Sequence, residues 1–211
     1  MKRYNAVIFD LDGVVCHTDK YHYLAWKSVA DELGIPFDEK VNDRLRGISR
    51  MDSLEIILER SEVKYTQEEK AAIAAKKNQL YREYLKTMTP EDIPGDVGRT
   101  LNRLKGLGIK LAIGSSSRNA KTILNRLGLE DIFDVVADGN IISKAKPDPE
   151  VFLKAAELLG EEPADCLVIE DAASGIEAAA AGGFDTAGIG EAARSPKCTY
   201  PLNSVAELMQ R

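Results

Sequence analysis

Val7, Ile8 and Phe9 form a short apolar run of β-branched and aromatic residues, long enough for one buried strand, and it stops at Asp10-Leu11-Asp12-Gly13. The period then changes. Across residues 18–34, Tyr21, Leu24, Ala25, Ser28, Val29 and Leu33 recur at three- and four-residue spacing, and Gly34 followed by Pro36 stops the predicted helix. Residues 38–45 suit a short helix, and Ser49 is placed to cap another that carries Leu54, Ile57 and Leu58. Thr66 with Glu69 reads as a capping box opening a long helix through Ile73, Leu80, Tyr84 and Leu85. No strand pattern appears from residue 17 to 89.

From Pro94 the chain alternates. Helices are predicted over 96–107, from the serines at 115–117 to Gly128, from Pro149 to Gly160, and over 172–181. Between them lie predicted strands at 110–114, 134–137, 166–169 and 186–190. Such alternation predicts a doubly wound parallel sheet of α/β class, Rossmann-like, with helices on both faces. The expected organisation is a catalytic core of residues 1–16 and 90–211, interrupted by a helical cap at 17–89.

Composition narrows the class. The chain has 211 residues, 44% hydrophobic and 29% charged, enough to bury a core without disulfides or structural metal. Cys16, Cys166 and Cys198 are odd in number and far apart, which favours reduced thiols over a disulfide framework or a zinc site. No apolar run has membrane-span length and the first residues lack a signal-peptide core, so a cytoplasmic protein without membrane attachment is expected. A net charge of −6 argues against a nucleic-acid partner. An anionic substrate remains compatible, given local cations or a metal.

The candidate chemistry sits where the predicted strands end. Asp10 and Asp12 follow the first, and alternation along an extended chain sends both to one side. Ser115 follows the second, Lys146 lies on the loop after the third, and Glu170 with Asp171 ends the fourth. Singly, each suits an ordinary turn, cap or solvated charge; together they fall where a doubly wound sheet binds ligands. The set suits phosphoryl transfer through an aspartyl phosphate. Asp10 would be the nucleophile and Asp12 the general acid–base. Asp10, the Asp12 backbone carbonyl, Glu170 and Asp171 offer hard oxygens to Mg2+, while Ser115 and Lys146 would stabilise the phosphoryl oxygens.

The Asp-x-Asp stretch FDLDG, Ser115, Lys146-Pro147 and Glu170-Asp171 resemble the four motifs of the haloacid dehalogenase superfamily, over nearly the whole chain. Within it the chain is most similar to the β-phosphoglucomutase family. The features are Thr18 with His22 and Trp26, the run from Leu45 through Arg46, Gly47, Ile48, Ser49 and Arg50 to Asp52-Ser53, and Ser115 to Asn119. The resemblance implies that Arg50, with Ser117 and Asn119, grips the substrate's non-reacting phosphate. Lys77 and the Gly47–Ile48 backbone are implied sugar contacts, and Trp26, Ser53 and Arg118 are counted with the substrate-binding set. His22 is implied to lie in the hinge region coupling the acid–base to cap closure. Arg46 where Lys is usual, His17 where an acidic residue is usual, and Cys16 for Thr or Val depart from that pattern; His17 is expected to face solvent.

The activity so implied is Mg2+-dependent interconversion of β-D-glucose 1-phosphate and glucose 6-phosphate. β-Glucose 1,6-bisphosphate would serve as primer and intermediate, and the partner is a small phosphorylated sugar. Nothing demands a dimer, so a monomer is expected. A sugar-phosphate phosphatase of the same superfamily is the near alternative. A phosphonatase would lack the second aspartate and use a cap lysine. A phosphoacceptor signalling module is the alternative of another class; Asp12 and the helical insertion argue against it.

Overall fold

A computed structural model describes residues 3–45 and 48–209. The chain divides into two compact units, Met1–His17 with Met88–Arg211, and Thr18–Thr87. β1 (Ala6–Phe9) opens the first unit with all four residues buried. The second unit contains α1 (Asp19–Glu32), α2 (Glu39–Asp43), α3 (Arg50–Leu58) and α4 (Gln67–Leu85), and no strand among its described residues.

Those helices begin where side chains can satisfy orphan backbone donors. Asp38 accepts the Val41 N–H at 2.9 Å and Ser49 Oγ accepts that of Asp52 at 3.2 Å. Thr66 and Glu69 close a reciprocal box, in which Glu69 accepts the Thr66 N–H at 2.7 Å. Each such cap is worth about 1 kcal/mol. Trp26, Ala30, Ile35, Phe37, Val41, Leu54, Ile57 and Ala74 pack together as the unit's core.

The first unit resumes through α5 (Gly95–Gly106), β2 (Lys110–Gly114), α6 (Ala120–Leu127), β3 (Val135–Ala137), α7 (Glu150–Leu159), β4 (Cys166–Glu170), α8 (Ala173–Ala181), β5 (Asp185–Gly188) and β6 (Tyr200–Pro201). The sheet is parallel throughout, in the order β3-β2-β1-β4-β5-β6. On one face Ile8, Ala112 and Val168 pack with Val151, Phe152 and Ala155 of α7 and Ala178 of α8. Burial of both faces is why β1 and β4 read as continuous apolar runs rather than alternating ones. The strand order reverses between β1 and β4, so the carboxyl ends of these two strands flank the switch point.

The last strands differ from the expected ones. β5 begins at Asp185 and stops at Gly188, and β6 was not anticipated. Two residues including a proline carry no strand signal. Proline is nevertheless tolerated at a sheet edge, where β6 lies. No helix among the described residues is long and apolar enough to cross a membrane.

Candidate active site

The parallel ladder carries past β1 by one hydrogen bond, from the Asp10 N–H to the Ile169 carbonyl at 2.9 Å. Asp10 is thereby held against the end of β4, where Glu170 and Asp171 follow. One oxygen from each of the three carboxylates lies within 4.8 Å of the others. The loop between β3 and α7 brings in Lys146, whose ammonium donates to Asp10 Oδ1 and, at 2.6 Å, to Glu170 Oε1. The Phe152 ring lies under the ammonium, 4.6 Å from its centroid. Lys146-Pro147 is a cis peptide.

The electrostatics follow from this burial. Burial and the Glu170 charge push the Asp10 carboxyl above the usual range, against the pull of Lys146. Burial, then the charges of Glu170 and Asp12, push Asp171 up to about 7. Burial alone would lower the Lys146 ammonium, but Asp10 and Glu170 outweigh it and hold it above its ordinary value. Crowded carboxylates raised in this way are a donor set that a small divalent cation would restore to full ionisation, and their hard oxygens fit Mg2+. Two glycines shape the cluster. A Cβ on Gly13 would fall 2.0 Å from Asp171 Oδ2, and one on Gly175 would fall 1.8 Å from Glu170 Oε1.

Strand alternation is not what positions Asp12. β1 ends at Phe9, the chain bends at Leu11, and Asp12 forms an isolated parallel bridge with Cys16. Its carboxylate is absent from the three-oxygen cluster, although its charge acts on Asp171. The turn follows Asp12, over residues 13–15. Cys16 is buried, with its thiol directed at the Leu11 carbonyl and pushed up by burial, and His17 is exposed.

Ser115 is anchored by its own N–H on the Ala137 carbonyl at 3.0 Å. Its Oγ accepts the Ser117 N–H at 3.1 Å, and Ser117 Oγ accepts the Asn119 N–H at 3.2 Å. Each hydroxyl thus pins the backbone two residues on. Ser115 and Asn119 are buried and Arg118 is exposed.

In the helical unit, Lys77 is 3% exposed. Its ammonium lies 2.8 Å from His22 Nδ1, 5.0 Å from the Trp26 ring centroid and 4.8 Å from that of Tyr81. The His22 and Tyr81 rings stack with centroids 4.1 Å apart, and the Tyr81 hydroxyl donates to Thr18 at 3.1 Å. Burial, then the charges of Lys77 and Arg50, hold His22 well below its ordinary value. Arg50 is the first residue of α3, Ser53 Oγ donates to the Ser49 carbonyl at 2.9 Å, and Ile48 is exposed. Trp26 is a core residue of this unit as well as a face for the lysine. Arg46 and Gly47 lie outside the described residues.

Sequence reasoning passed over Asp138, a 1% exposed carboxylate directly after β3. The strand-end rule that selected Asp10, Ser115 and Glu170 would have found it. It also passed over Tyr81, whose position four residues after Lys77 puts both on one helix face.

Comparison with known proteins follows the same lines. The haloacid dehalogenase-like hydrolase family matches residues 4–183. A β-phosphoglucomutase of Bacillus subtilis is 48% identical over 188 residues, 88% of this chain and 83% of that protein. A phosphorylated carbohydrates phosphatase of Thermotoga maritima is 37% identical over 183 residues, 85% of this chain and 82% of the other. The crystal structure of a β-phosphoglucomutase from Clostridium difficile superposes with a TM-score of 0.89 at 40% identity, covering 97% of this chain and 93% of its own.

Proposed function

Because the chain belongs to the haloacid dehalogenase-like hydrolase family, we propose that it is a β-phosphoglucomutase interconverting β-D-glucose 1-phosphate and glucose 6-phosphate. The observation that carries this reading is the convergence of Asp10, Lys146, Glu170 and Asp171 at the switch point of the sheet, in a chain 48% identical to a β-phosphoglucomutase.

In this reading Asp10 Oδ attacks phosphorus, the bond to the sugar oxygen or donor breaks, and a phosphoaspartate forms. Asp12 protonates the departing sugar oxygen and later removes the proton from the attacking hydroxyl. Ser115 and Lys146 hold the non-bridging oxygens, and Lys146 exchanges contacts with carboxylate for contacts with phosphoryl. Asp10, the Asp12 carbonyl, Glu170 and Asp171 would hold Mg2+, which supplies the positive charge that offsets repulsion between the nucleophile and its anionic target. In the helical unit Arg50 is assigned to the phosphate that is not reacting, Lys77 and the Gly47–Ile48 backbone to the sugar, Trp26 and Ser53 to the substrate-binding set, and His22 to that set and to the hinge region that couples the acid–base to cap closure. In the α/β unit Ser117, Arg118 and Asn119 offer hydroxyl, guanidinium and amide donors to phosphate. Glucose 1,6-bisphosphate would prime Asp10 and be regenerated in each cycle.

A sugar-phosphate phosphatase is the second reading, favoured by the 37% identity with the Thermotoga maritima phosphatase. The two share every step up to the phosphoaspartate and differ in whether a sugar hydroxyl or water attacks it. Turnover against a panel of sugar phosphates, with Mg2+ and with or without glucose 1,6-bisphosphate, tests the choice. A mutase shows a lag that the bisphosphate abolishes, with little phosphate released. Phosphate release equal to substrate consumption, without a lag, would replace the mutase reading by the phosphatase one.

A further inference from the structure

Asp138, which the proposed chemistry does not use, is a buried carboxylate. Its Oδ1 accepts the Asn140 N–H at 2.9 Å and its Oδ2 accepts the Asn140 side-chain amide at 3.1 Å. The same amide nitrogen donates to the Arg118 carbonyl at 3.0 Å. Both acceptors are oxygens, one a carboxylate and the other a carbonyl, so the orientation of the amide is fixed by its partners. Beside it the Gly139 N–H donates to the Ser117 carbonyl at 3.1 Å. Two successive carbonyls of the 115–119 loop are therefore held from outside by Gly139 and Asn140, and Asp138 fixes Asn140 in place.

We propose that Asp138, Gly139 and Asn140 form a brace that sets the position of the outer half of this loop, Ser117 to Asn119, and through it the affinity for a phosphorylated substrate. They are positioning residues and touch no reacting atom. The proposal rests on the reading that Ser117, Arg118 and Asn119 bind phosphate, but the brace itself is a matter of geometry. The inner half of the loop has its own anchor, the Ser115 N–H on the Ala137 carbonyl. Losing the brace should free the outer donors while Ser115 and the carboxylate cluster stay in place. Asp138 gives the brace its rigidity, since a buried carboxylate holds both donors of Asn140 more firmly than a neutral acceptor would.

Asn140→Asp tests this. It is near-isosteric and Asn140 is exposed, but it puts a carboxylate against the Arg118 carbonyl and the Asp138 carboxylate where a donor stood. Asp138→Asn is the companion variant, keeping size while weakening the acceptor. Two readouts are made on the full chain. Amide hydrogen exchange should speed up at Ser117 and Asn119 by about tenfold or more, because both N–H donors belong to the loosened segment, Ser117 moving off the anchored Ser115 hydroxyl and Asn119 off the freed Ser117 hydroxyl. In steady-state kinetics, the KM for glucose 1-phosphate and glucose 6-phosphate should rise about tenfold in Asn140→Asp and less in Asp138→Asn, with kcat changed less than about threefold. A general loss of structure would instead lower kcat and thermal stability together. Unchanged exchange at Ser117 and Asn119 in both variants, or exchange that rises throughout the α/β unit, overturns the brace. Accelerated exchange confined to the loop with KM unaltered keeps the brace but removes its part in substrate affinity. Absence of sugar-phosphate turnover in the wild type overturns the functional reading, and the exchange measurement then still decides the brace.

Discussion

The Lys77 ammonium lies 2.8 Å from the Nδ1 atom of His22. An ammonium has donors and no acceptor, so Nδ1 must present its lone pair, and the proton of the neutral ring is left on Nε2. Burial, and then the neighbouring cations, keep the ring neutral by holding its pKa well below the ordinary value of 6.5.

A pH dependence of stability follows. As pH falls below about 6.5, the unfolded chain protonates His22 while the folded one does not, so the contribution of this residue to stability is present above that value and is lost on acidification. The slope approaches about 1.4 kcal/mol per pH unit between the ordinary pKa and the depressed one. Asp171, pushed up to about 7, acts in the opposite direction, so the difference between variants is the informative quantity. Urea unfolding at several pH values between 5 and 7.5 should show wild type losing stability relative to His22→Gln as pH falls. A constant difference would mean that His22 titrates normally in the folded protein.

The chemistry at this centre was partly legible in the sequence, and for a definite reason. Asp10, Ser115 and Glu170 each follow an apolar run directly, so recognising the strand places the residue. Lys146 is also on a strand-end loop, but nothing in the sequence fixes its contacts with Asp10 and Glu170 across a separation of 136 and 24 residues. Asp12 lies past the end of the strand. β1 ends at Phe9, so the place of Asp12 depends also on the bend at Leu11 and on the Asp12–Cys16 bridge, neither of which strand periodicity describes. β6 escaped because pairing with β5, a tertiary interaction, makes Tyr200-Pro201 a strand without any help from local preference.

Asp10→Asn should fold normally and lose turnover, because the amide cannot attack phosphorus. With a labelled phosphate donor, wild type should form an acid-stable, base-labile phosphoenzyme and Asp10→Asn none. Asp12→Ala should retain its backbone carbonyl and still accept phosphate from an activated donor with a good leaving group. Its transfer to and from sugar oxygens should fall by roughly 10²–10⁴-fold. Phosphoenzyme in Asp10→Asn would move the nucleophile elsewhere, and full mutase activity in Asp12→Ala would remove it as the acid–base.

Arg50 separates the two readings of the reaction. In the mutase reading, a bisphosphate that must present either phosphate to Asp10 needs a cation for the one not reacting, and Arg50, the first residue of α3, is the guanidinium proposed for it. Arg50→Ala should lower kcat/KM for both glucose phosphates by roughly 10–100-fold, the scale of a lost charge-assisted hydrogen bond, and should raise the fraction of phosphoaspartate lost to water. Mutase flux and phosphate release, assayed in parallel, measure both. If neither changes, Arg50 does not hold the second phosphate.

Gly13 and Gly175 have no reactive atom, yet the carboxylates of Asp171 and Glu170 occupy the space where their side chains would begin. The vulnerability of the centre to mutation is therefore wider than its inventory of acids and bases. Even alanine at either position displaces a carboxylate without altering a single ionisable group. Gly175→Ala would keep every expected motif residue and still be impaired, so an intact set of motif residues in a variant of this chain is no assurance of a working enzyme.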